Sequence, residues 1–442
     1  MPVSRYHAEL AWLGNGPERD VLIEVTGEGR FGAVTPGSPA PEGAVRLAGL
    51  TLPGFADTHS HAFHRALRGR TQAGLGTFWT WRERMYQLAD RLDPDSYRAL
   101  ATAVYGELAL AGITCVGEFH YLHHQPGGHR YADPNAMAAG LVEAATTAGI
   151  RLTLLDTCYL AAGVDGSPLA GPQRRFGDGD AQAWADRVGR LAPEPDHWRV
   201  GAAIHSVRGV PLDQLPTVVR WAADRTVPLH LHLSEQRAEN EACLAYHHRT
   251  PTELLADLDV LGPRTTAVHA THLTDLDRTL LGDTGTGVCC CPTTERDLAD
   301  GIGPARALVD AGASLSLGTD SHAVVDMFEE ARAVELDTRL WDERRGHFRP
   351  AELLAAATVA GHRALGWDDA GTISTGARAD LVTVTLDSPR TAGTDPAAIV
   401  FTATAADVTQ VVASGRVVVR AGRHARLDVP AALRVAIEEV AV

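Results

Sequence analysis

The chain has 442 residues, 45% of them hydrophobic and 21% charged, and 55 acidic residues against 40 basic ones give a net charge of −15. This length accommodates one large α/β barrel or two ordinary domains, and the acidic balance argues against nucleic acid and anionic membranes as partners. All 40 basic residues are arginine, which excludes mechanisms that need a lysine amine: Schiff-base and pyridoxal chemistry, the phosphate-binding P-loop and a carbamylated lysine bridging two metal ions.

Cysteine spacing indicates a reducing compartment, and the distribution of apolar residues predicts neither a membrane span nor a secretory signal. The six cysteines have no regular spacing, and three of them, Cys289 to Cys291, are consecutive, so a disulfide framework is not expected. No apolar run approaches the ~18–20 residues of a membrane span, and the first residues lack the apolar segment of a secretory signal. We therefore predict a cytoplasmic protein.

The chain divides into two kinds of segment. Short β-type runs separated by Gly and Pro turns fill residues 1–52 and return in residues 371–442, whereas residues 53–370 alternate apolar strand-like runs with alanine-rich helical ones. The strand candidates of this central part number eight and are, in chain order, "LTLPGFADTHSH", "GITCVGEFHY", "IRLTLLDTCYL", "WRVGAAIHSV", "VPLHLHLSE", "TTAVHATHL", "TGVCCCPTTE" and "ASLSLGTDSH". They predict an α/β fold with a (β/α)8 TIM barrel, and the terminal segments predict one small β-sandwich domain built from both ends of the chain.

Nearly every strand candidate carries a polar side chain of a metal-binding or acid–base type near its C-terminal end. In chain order these are His59 and His61, Glu118 and His120, His205, His232 and Glu235, His269 and His272, and Asp320 and His322. Barrel enzymes build their active sites at that rim, because the strand ends converge there. The sequence therefore predicts one site assembled from distant segments.

Spacing indicates which of these side chains share an ion. Residues two apart on a strand face the same way, so His59 and His61 can direct both imidazoles to one metal. His232 at the mouth of its strand and Asp320 after the last strand complete a set of three nitrogens and one carboxylate oxygen, which suits catalytic zinc or a similar divalent ion with a position left for water. Glu235 falls in the loop after His232, where it overhangs the ion without binding it.

Several other histidines and the cysteine triplet have simpler interpretations. We predict that His123 and His124 are ordinary loop residues, that His230 is a hydrogen-bonded core histidine, and that His272 and His322 either support the site or have no role. The cysteine triplet is expected to pack as small apolar side chains in a strand.

The order H-x-H, His, His and Asp after strands one, five, six and eight resembles the amidohydrolase superfamily, and "HLSE" is similar to the His-x-x-Glu of its deaminase branch. Within that branch, "HSHAFHRALRG", "FWTWRERMY", "GEFHY", "HLSEQ", "VHATHLT", "CPTTERDLADGI" and "GTDSH" are similar to the formimidoylglutamate deiminase family. The resemblance covers about residues 53–325. It implies hydrolytic deimination of N-formimidoyl-L-glutamate to N-formyl-L-glutamate and ammonia in histidine degradation, and it suggests a homodimer.

The resemblance also implies roles for individual residues. It implies one Zn²⁺ (or a similar divalent metal) per chain, held by His59, His61, His232 and Asp320. The implied catalytic residues are Glu235 and His269. As a hypothesis of mechanism, we expect Asp320 to accept a proton from the attacking water, Glu235 to protonate the imino nitrogen, and His269 to stabilise the developing oxyanion or relay the proton. The implied substrate contacts are His64, Arg82, Tyr121, His205 and Arg208. His64 stands where the family usually has glutamine, and the two arginines suit an anionic small-molecule substrate.

Three alternatives remain open at this point. A related deaminase acting on a purine or another heterocycle would share the metal site but favour aromatic and amide groups over paired arginines. A metal-free scaffold barrel would retain the fold alone. A binuclear hydrolase would need a bridging carboxylate, for which Glu118 is the candidate.

Overall fold

The computed structural model of the chain describes residues 4–14, 16–72 and 76–441. Its strands are β1 Ser4–Leu13, β2 Gly16–Val25, β3 Phe31–Thr35, β4 Val45–Pro53, β5 Phe55–Ser60, β6 Ile113–His120, β7 Arg151–Cys158, β8 Trp198–Ile204, β9 Leu229–Leu233, β10 Thr265–His269, β11 Gly287–Cys290, β12 Leu315–Leu317, β13 Leu381–Val384, β14 Val408–Ala413, β15 Arg416–Arg420 and β16 Arg423–His424.

Most of the helices lie between the strands of the central segment. They are α1 Phe78–Arg91, α2 Pro94–Leu110, α3 Ala136–Ala148, α4 Ala181–Val188, α5 Leu215–Arg225, α6 Arg237–His247, α7 Pro251–Asp257, α8 Asp275–Asp283, α9 Pro292–Asp297, α10 Ala305–Ala311, α11 Met327–Asp342, α12 Pro350–Ala355, α13 Gly361–Ala364 and α14 Val429–Val440. A π-helical segment, Ala356–Ala360, joins α12 to α13. None of these helices combines the length and the apolar character required to cross a membrane.

Strands β5 to β12 form one parallel sheet in which each strand pairs with its neighbours along the chain. The sheet closes where its first and last strands meet, through a parallel bridge between Ser60 and Asp320. The amide of Asp320 also donates to the carbonyl of His59 at 2.9 Å. Both β6 and β7 are buried along their whole length, as strands covered on two faces must be. The predicted (β/α)8 barrel is confirmed.

The first predicted strand is divided between two sheets. Residues 50–53 belong to β4 of the terminal sheet, and residues 55–60 form β5 of the barrel. Gly54 stands at the junction, where a Cβ atom would overlap the side chain of Thr114 and lie 2.7 Å from Cβ of Asp380. Because only glycine permits this close approach, the chain passes from one sheet to the other without a loop.

The remaining eight strands form a second sheet of order β16-β15-β14-β13-β4-β1-β2-β3. Strands from both ends of the chain therefore share one domain, as predicted. A bridge between Arg30 and Arg378 brings the start of β3 back beside the segment that precedes β13. The sheet folds in this way over an apolar core of its own, which includes Tyr6, Ile23 and Phe31.

The terminal sheet is joined to the barrel by a buried ion pair. Arg151, at the start of β7, donates to the two carboxylate oxygens of Asp380 at 2.8 and 2.5 Å, and the two side chains are 3% and 1% exposed. Helix α14 packs on α2 of the barrel, where Gly106 leaves room for Val429. The predicted segment 371–442 thus contributes strands to the terminal sheet and also a helix that covers the barrel.

Candidate active site

The four side chains predicted as metal ligands meet at the C-terminal end of the barrel. His59 lies in β5, His61 directly follows it, His232 lies in β9, and Asp320 follows β12. Nε2 of His59 is 3.1 Å from Nε2 of His232 and 3.3 Å from Oδ1 of Asp320. Nε2 of His61 is 3.4 Å from the same oxygen. All four residues are buried, so the fold gathers a compact set of donor atoms from three distant segments.

The orientation of two rings leaves their inward nitrogens without protons. Nδ1 of His61 donates to the carbonyl of Phe119 at 3.0 Å, and Nδ1 of His232 donates to the carbonyl of His205 at 2.9 Å. Nε2 of each neutral ring therefore keeps its lone pair, as a metal ligand requires. Ligand atoms ~2.0–2.1 Å from a tetrahedral zinc ion are roughly 3.3 Å from one another, which matches the measured separations. The donor set fits one Zn²⁺ or a similar divalent cation.

Two buried carboxylates fix the backbone on either side of these ligands. Glu118 on β6 accepts hydrogen bonds from the hydroxyl of Ser60 and the amide of Ala62, both at 2.8 Å. Asp57 accepts from the amide of Thr319 at 2.9 Å and from its hydroxyl at 2.6 Å. Burial raises the pKa of Glu118 to about 8 and that of Asp57 to about 7. Because both oxygens of Glu118 accept hydrogen bonds from the segment around His61, this residue supports the loop that carries the candidate ligands.

Asp320 is held as an anion beside the rings of His59, His61 and His269. Burial by itself would raise the pKa of its carboxyl group, but the hydrogen bond from His59 and the neighbouring ring of His269 outweigh burial and hold this pKa well below its usual value. Burial lowers the pKa of His59 and lowers that of His61 further. One ionised oxygen among neutral imidazoles is a donor set that divalent cations such as zinc favour.

Glu235 and His269 face each other beside the ligand cluster. Nε2 of His269 is 3.9 Å from Oε1 of Glu235 and 3.9 Å from Oδ2 of Asp320, and Nδ1 is 3.3 Å from Oε1 of Glu295. Burial raises the pKa of Glu235 to about 7, a value suited to proton transfer near neutrality. Burial alone would lower the pKa of His269, but the carboxylates of Glu235 and Glu295 raise it well above its usual value. The pair combines a carboxyl group that can carry a proton with a positively charged ring.

The loops that carry these groups adopt left-handed backbone angles. Five non-glycine residues at the ends of β9, β10 and β12 have φ between 46° and 68°, namely Ser234, His269, Ala270, Asp320 and His322. This region is unfavourable for side chains with a Cβ and is found disproportionately at functional sites. The unfavourable backbone angles therefore occur at the same strand ends as the polar side chains of the candidate site.

A cleft with an empty volume of ≈ 560 Å³ opens onto Glu235, His269 and Asp320. The aromatic side chains of its wall are Phe78, Trp81, Tyr86, Tyr121, Tyr159 and Phe176. The predicted substrate contacts His64, Arg82, Tyr121, His205 and Arg208 all line this cleft. The fold thus brings the five of them together beside the candidate metal ligands.

The two arginines of the cleft are held differently. Arg82 on α1 forms no hydrogen bond or ion pair with any residue that the structure describes, and its guanidinium lies over the rings of Trp79 at 4.4 Å and Tyr86 at 5.5 Å. Arg208, after β8, donates from Nε to Oε2 of Glu239 at 2.8 Å, and its side chain is 14% exposed. Each arginine keeps N–H groups available to an anion, because neither uses the whole of its five-donor fork.

Polar groups opposite the arginines complete the cleft. Nε2 of His64 is 2.9 Å from the hydroxyl of Tyr121, which in turn lies 3.7 Å from Sδ of Met85. Burial lowers the pKa of His64 to about 3, so the ring is neutral. Its Nδ1 is buried and has no partner among the described residues. His205 bonds through Nδ1 to the hydroxyl of Ser206 at 3.1 Å.

A second group of buried histidines lies outside the cleft. His120, His123 and Asp156 bring ligand-type atoms within 4.8 Å of one another, but Arg187 donates to both oxygens of Asp156 at 2.7 and 2.9 Å. Because a guanidinium already neutralises that carboxylate, the cluster is a structural ion network. His123 and His124 lie in a loop, as predicted, but they are not ordinary loop residues. Both are only 1% exposed, since the segment after β7 covers this loop.

The interpretations of His230 and of the cysteine triplet are confirmed. His230 is buried and donates from Nε2 to the carbonyl of Ala364 at 2.9 Å. The three consecutive cysteines are free and buried. Cys289 and Cys290 lie in β11 as predicted, whereas Cys291 follows the strand and caps α9. His322 lies 3.0 Å from the hydroxyl of Ser60 and so supports the ligand-bearing loop, whereas His272 does not line the cleft.

Several residues that shape the cleft were missed by sequence reasoning. Tyr86 lies four residues after Arg82 on α1, and that spacing is the signal that places both on one helix face. Tyr159 directly follows β7, so the strand-end rule also applies to it. Gln173 donates to the hydroxyls of both tyrosines at 3.1 Å. No local signal marks Gln173 or Glu239, because their partners come from other segments.

Comparisons with known proteins agree with this architecture. The model of the amidohydrolase family matches residues 50–418. Formimidoylglutamate deiminase of Pseudomonas aeruginosa is 37% identical over 439 residues, 96% of each chain. The 8-oxoguanine deaminase of the same organism is 30% identical over 387 residues, 85% of this chain and 82% of that protein. The crystal structure of an amidohydrolase from Brucella melitensis superimposes with a TM-score of 0.91 at 30% identity, covering 99% of this chain and all of that one. The protein described here is a member of the amidohydrolase family.

Proposed function

We propose that the protein is a zinc-dependent deiminase that hydrolyses N-formimidoyl-L-glutamate to N-formyl-L-glutamate and ammonia, a step of histidine degradation. The similarity to formimidoylglutamate deiminase along nearly the whole chain supports this substrate. The single observation that carries the proposal is the presence of Arg82 and Arg208 in the same cleft as Glu235.

The substrate explains why two arginines are needed. N-formimidoyl-L-glutamate has two carboxylates, and a protein of net charge −15 must offset its own field to admit such an anion. Arginine binds a carboxylate through paired N–H groups. The free fork of Arg82 and the remaining N–H groups of Arg208 supply one partner for each carboxylate, while the formimidoyl group extends toward Glu235 and His269.

The four buried donors support a single metal ion. We assign His59, His61, His232 and Asp320 to its coordination, because three separations among their donor atoms, 3.1, 3.3 and 3.4 Å, match those around one small ion and two of the rings are fixed through Nδ1. A zinc ion bound there would supply Lewis-acid chemistry and lower the pKa of a bound water from ~15.7 toward 7. This complete donor set argues against a metal-free scaffold.

The surrounding side chains then move the protons. Asp320 accepts a proton from the attacking water, whose oxygen forms a bond to the formimidoyl carbon. Glu235, with its near-neutral pKa, donates a proton to the imino nitrogen. Glu235 then accepts the remaining proton of the former water, and Asp320 passes its proton to the nitrogen. The bond from the carbon to that nitrogen breaks, ammonia leaves, and the carbonyl of the formyl group forms. The positive ring of His269, 3.9 Å from both carboxylates, stabilises the negative charge that develops on the oxygen.

A deaminase acting on a purine is the second candidate. The aromatic wall of the cleft favours it, since flat heterocycles stack on such rings, and 8-oxoguanine deaminase is among the relatives. A neutral purine, however, would leave the guanidinium of Arg82 and the terminal N–H groups of Arg208 without an anionic partner. Substrate charge therefore separates the two candidates.

The test follows ammonia release from the purified protein with formimidoylglutamate, 8-oxoguanine and adenosine at equal concentration. We expect turnover of formimidoylglutamate alone. N-formimidoylglycine, which retains one carboxylate, serves as the matched control and is expected to have a lower kcat/KM. Preferred turnover of either purine would refute the proposed substrate.

A further inference from the structure

We propose that Glu239 is a positioning residue that holds the guanidinium of Arg208 so that its terminal N–H groups face a substrate carboxylate. This inference rests on the proposed function, in which Arg208 binds such a carboxylate. The carboxylate of Glu239 is 1% exposed and accepts from Nε of Arg208 at 2.8 Å. Glu239 does not line the cleft itself, so its effect on a ligand passes through the arginine.

The choice of nitrogen gives this contact its directional effect. A guanidinium has one N–H on Nε and two on each terminal nitrogen, all in one plane. With Nε committed to Glu239, the terminal groups of Arg208 are left without a hydrogen-bond partner among the described residues. They form the edge of the fork that binds a carboxylate through two parallel bonds. Fixing Nε therefore fixes the plane and the direction of this edge.

Glu239 is itself anchored to the catalytic loop. Its second oxygen, Oε1, accepts from the amide of Ser234 at 3.3 Å, and Ser234 directly precedes Glu235. Glu239 also lies in the first turn of α6, where a carboxylate interacts favourably with the helix dipole. One carboxylate thus connects the substrate-side arginine to the segment that carries the proton donor, and the two ends of the substrate are held at a set distance.

The sign of the effect distinguishes positioning from simple charge. Glu239 is an anion beside the cation that binds the substrate, so removing its charge should strengthen anion binding if long-range electrostatics were its only contribution. If Glu239 acts by orienting Arg208, the same change must weaken anion binding. Glutamine is the informative replacement, because Arg208 and Ser234 donate to different oxygens of Glu239 and glutamine retains an acceptor oxygen at only one of the two positions.

The experiment measures binding of glutarate, a plain five-carbon dicarboxylate, by isothermal titration calorimetry. The variants are Glu239→Gln, Arg208→Met, the double variant, and Glu241→Gln as a matched control, since Glu241 is an exposed acid on the same helix. We expect Glu239→Gln to weaken glutarate binding about ten- to a hundredfold, the range of one charge-assisted hydrogen bond. Glu241→Gln should bind glutarate as the unmodified protein does, and adding Glu239→Gln to Arg208→Met should cause no further loss.

Three results would overturn the inference: tighter or unchanged glutarate binding by Glu239→Gln, an equal loss in the Arg208→Met background, or an equal loss for Glu241→Gln. The kinetic counterpart is a KM for formimidoylglutamate that rises more than kcat falls. Failure of the unmodified protein to turn over formimidoylglutamate would refute the proposed substrate, and glutarate binding would still decide the role of Glu239.

Discussion

Replacing each cleft arginine by methionine separates its role in binding from its role in stability. Both Arg82→Met and Arg208→Met should raise the KM for formimidoylglutamate, since each removes the partner of one carboxylate. Arg208→Met should also destabilise the fold, and by much more than Arg82→Met does. The reason is structural: Glu239 depends on Arg208 for its charge partner, whereas no described carboxylate depends on Arg82.

The magnitudes follow from the two environments. Removing one partner of a buried ion pair typically costs about 3–5 kcal/mol, and the side chains of Arg208 and Glu239 are 14% and 1% exposed. Because Ser234 still donates to Glu239, we expect the lower end, about 3 kcal/mol of unfolding free energy. Arg82→Met forfeits stacking on Trp79 and Tyr86, which is about 0.5–1 kcal/mol at a partly exposed site.

Urea unfolding followed by tryptophan fluorescence measures this difference. The double variant Arg208→Met/Glu239→Gln provides the internal control, because it removes the uncompensated charge and should recover most of the lost stability. The reasoning is refuted if Arg208→Met proves as stable as Arg82→Met, or if the double variant is less stable than Arg208→Met alone.

Three further predictions address the metal, the proton donor and the second histidine cluster. His232→Ala should reduce metal affinity by more than ~10–100-fold, which is the typical loss when a residue hydrogen-bonded to a metal ligand is replaced. Elemental analysis of this variant that finds one full equivalent of metal per chain would contradict the assigned ligand set. Glu235→Gln should keep the metal and lose ~10²–10⁴-fold in kcat, so a kcat near that of the unmodified protein would remove Glu235 from the mechanism. Arg187→Met should lower the unfolding free energy by about 3–5 kcal/mol, because it leaves Asp156 and Asp178 buried without their cation. The kcat/KM of the folded protein should stay unchanged. A metal-dependent recovery of the stability of this variant would show that the cluster binds an ion after all.

The barrel and the candidate ligand set were predictable because both depend on local patterns. Apolar runs bounded by turns predict strands, and a polar residue at the end of a strand lies at one rim whatever the rest of the chain does. The two-residue spacing of His59 and His61 requires only the alternation of a strand. These features can be predicted without knowledge of any long-range contact.

Other features could not be read from the sequence because they are contacts between segments with no shared local signal. The strand break at Gly54 follows from the close approach of Thr114 and Asp380. The burial of His123 and His124 follows from the segment that covers their loop. Neither the strand break nor the burial of these histidines is accompanied by a periodicity or a spacing that would predict it.

The sequence by itself determined the fold class, the strand ends and the chemical types of the side chains at the rim, since these depend on periodicity and residue identity alone. The tertiary structure decided which of those side chains hold one another in place: Glu118 under the ligand loop, Glu295 behind His269 and Glu239 behind Arg208. Each of these carboxylates acts through a partner brought near by barrel closure and loop packing, and hydrogen bonds of about 3 Å form only once the backbone has fixed both atoms.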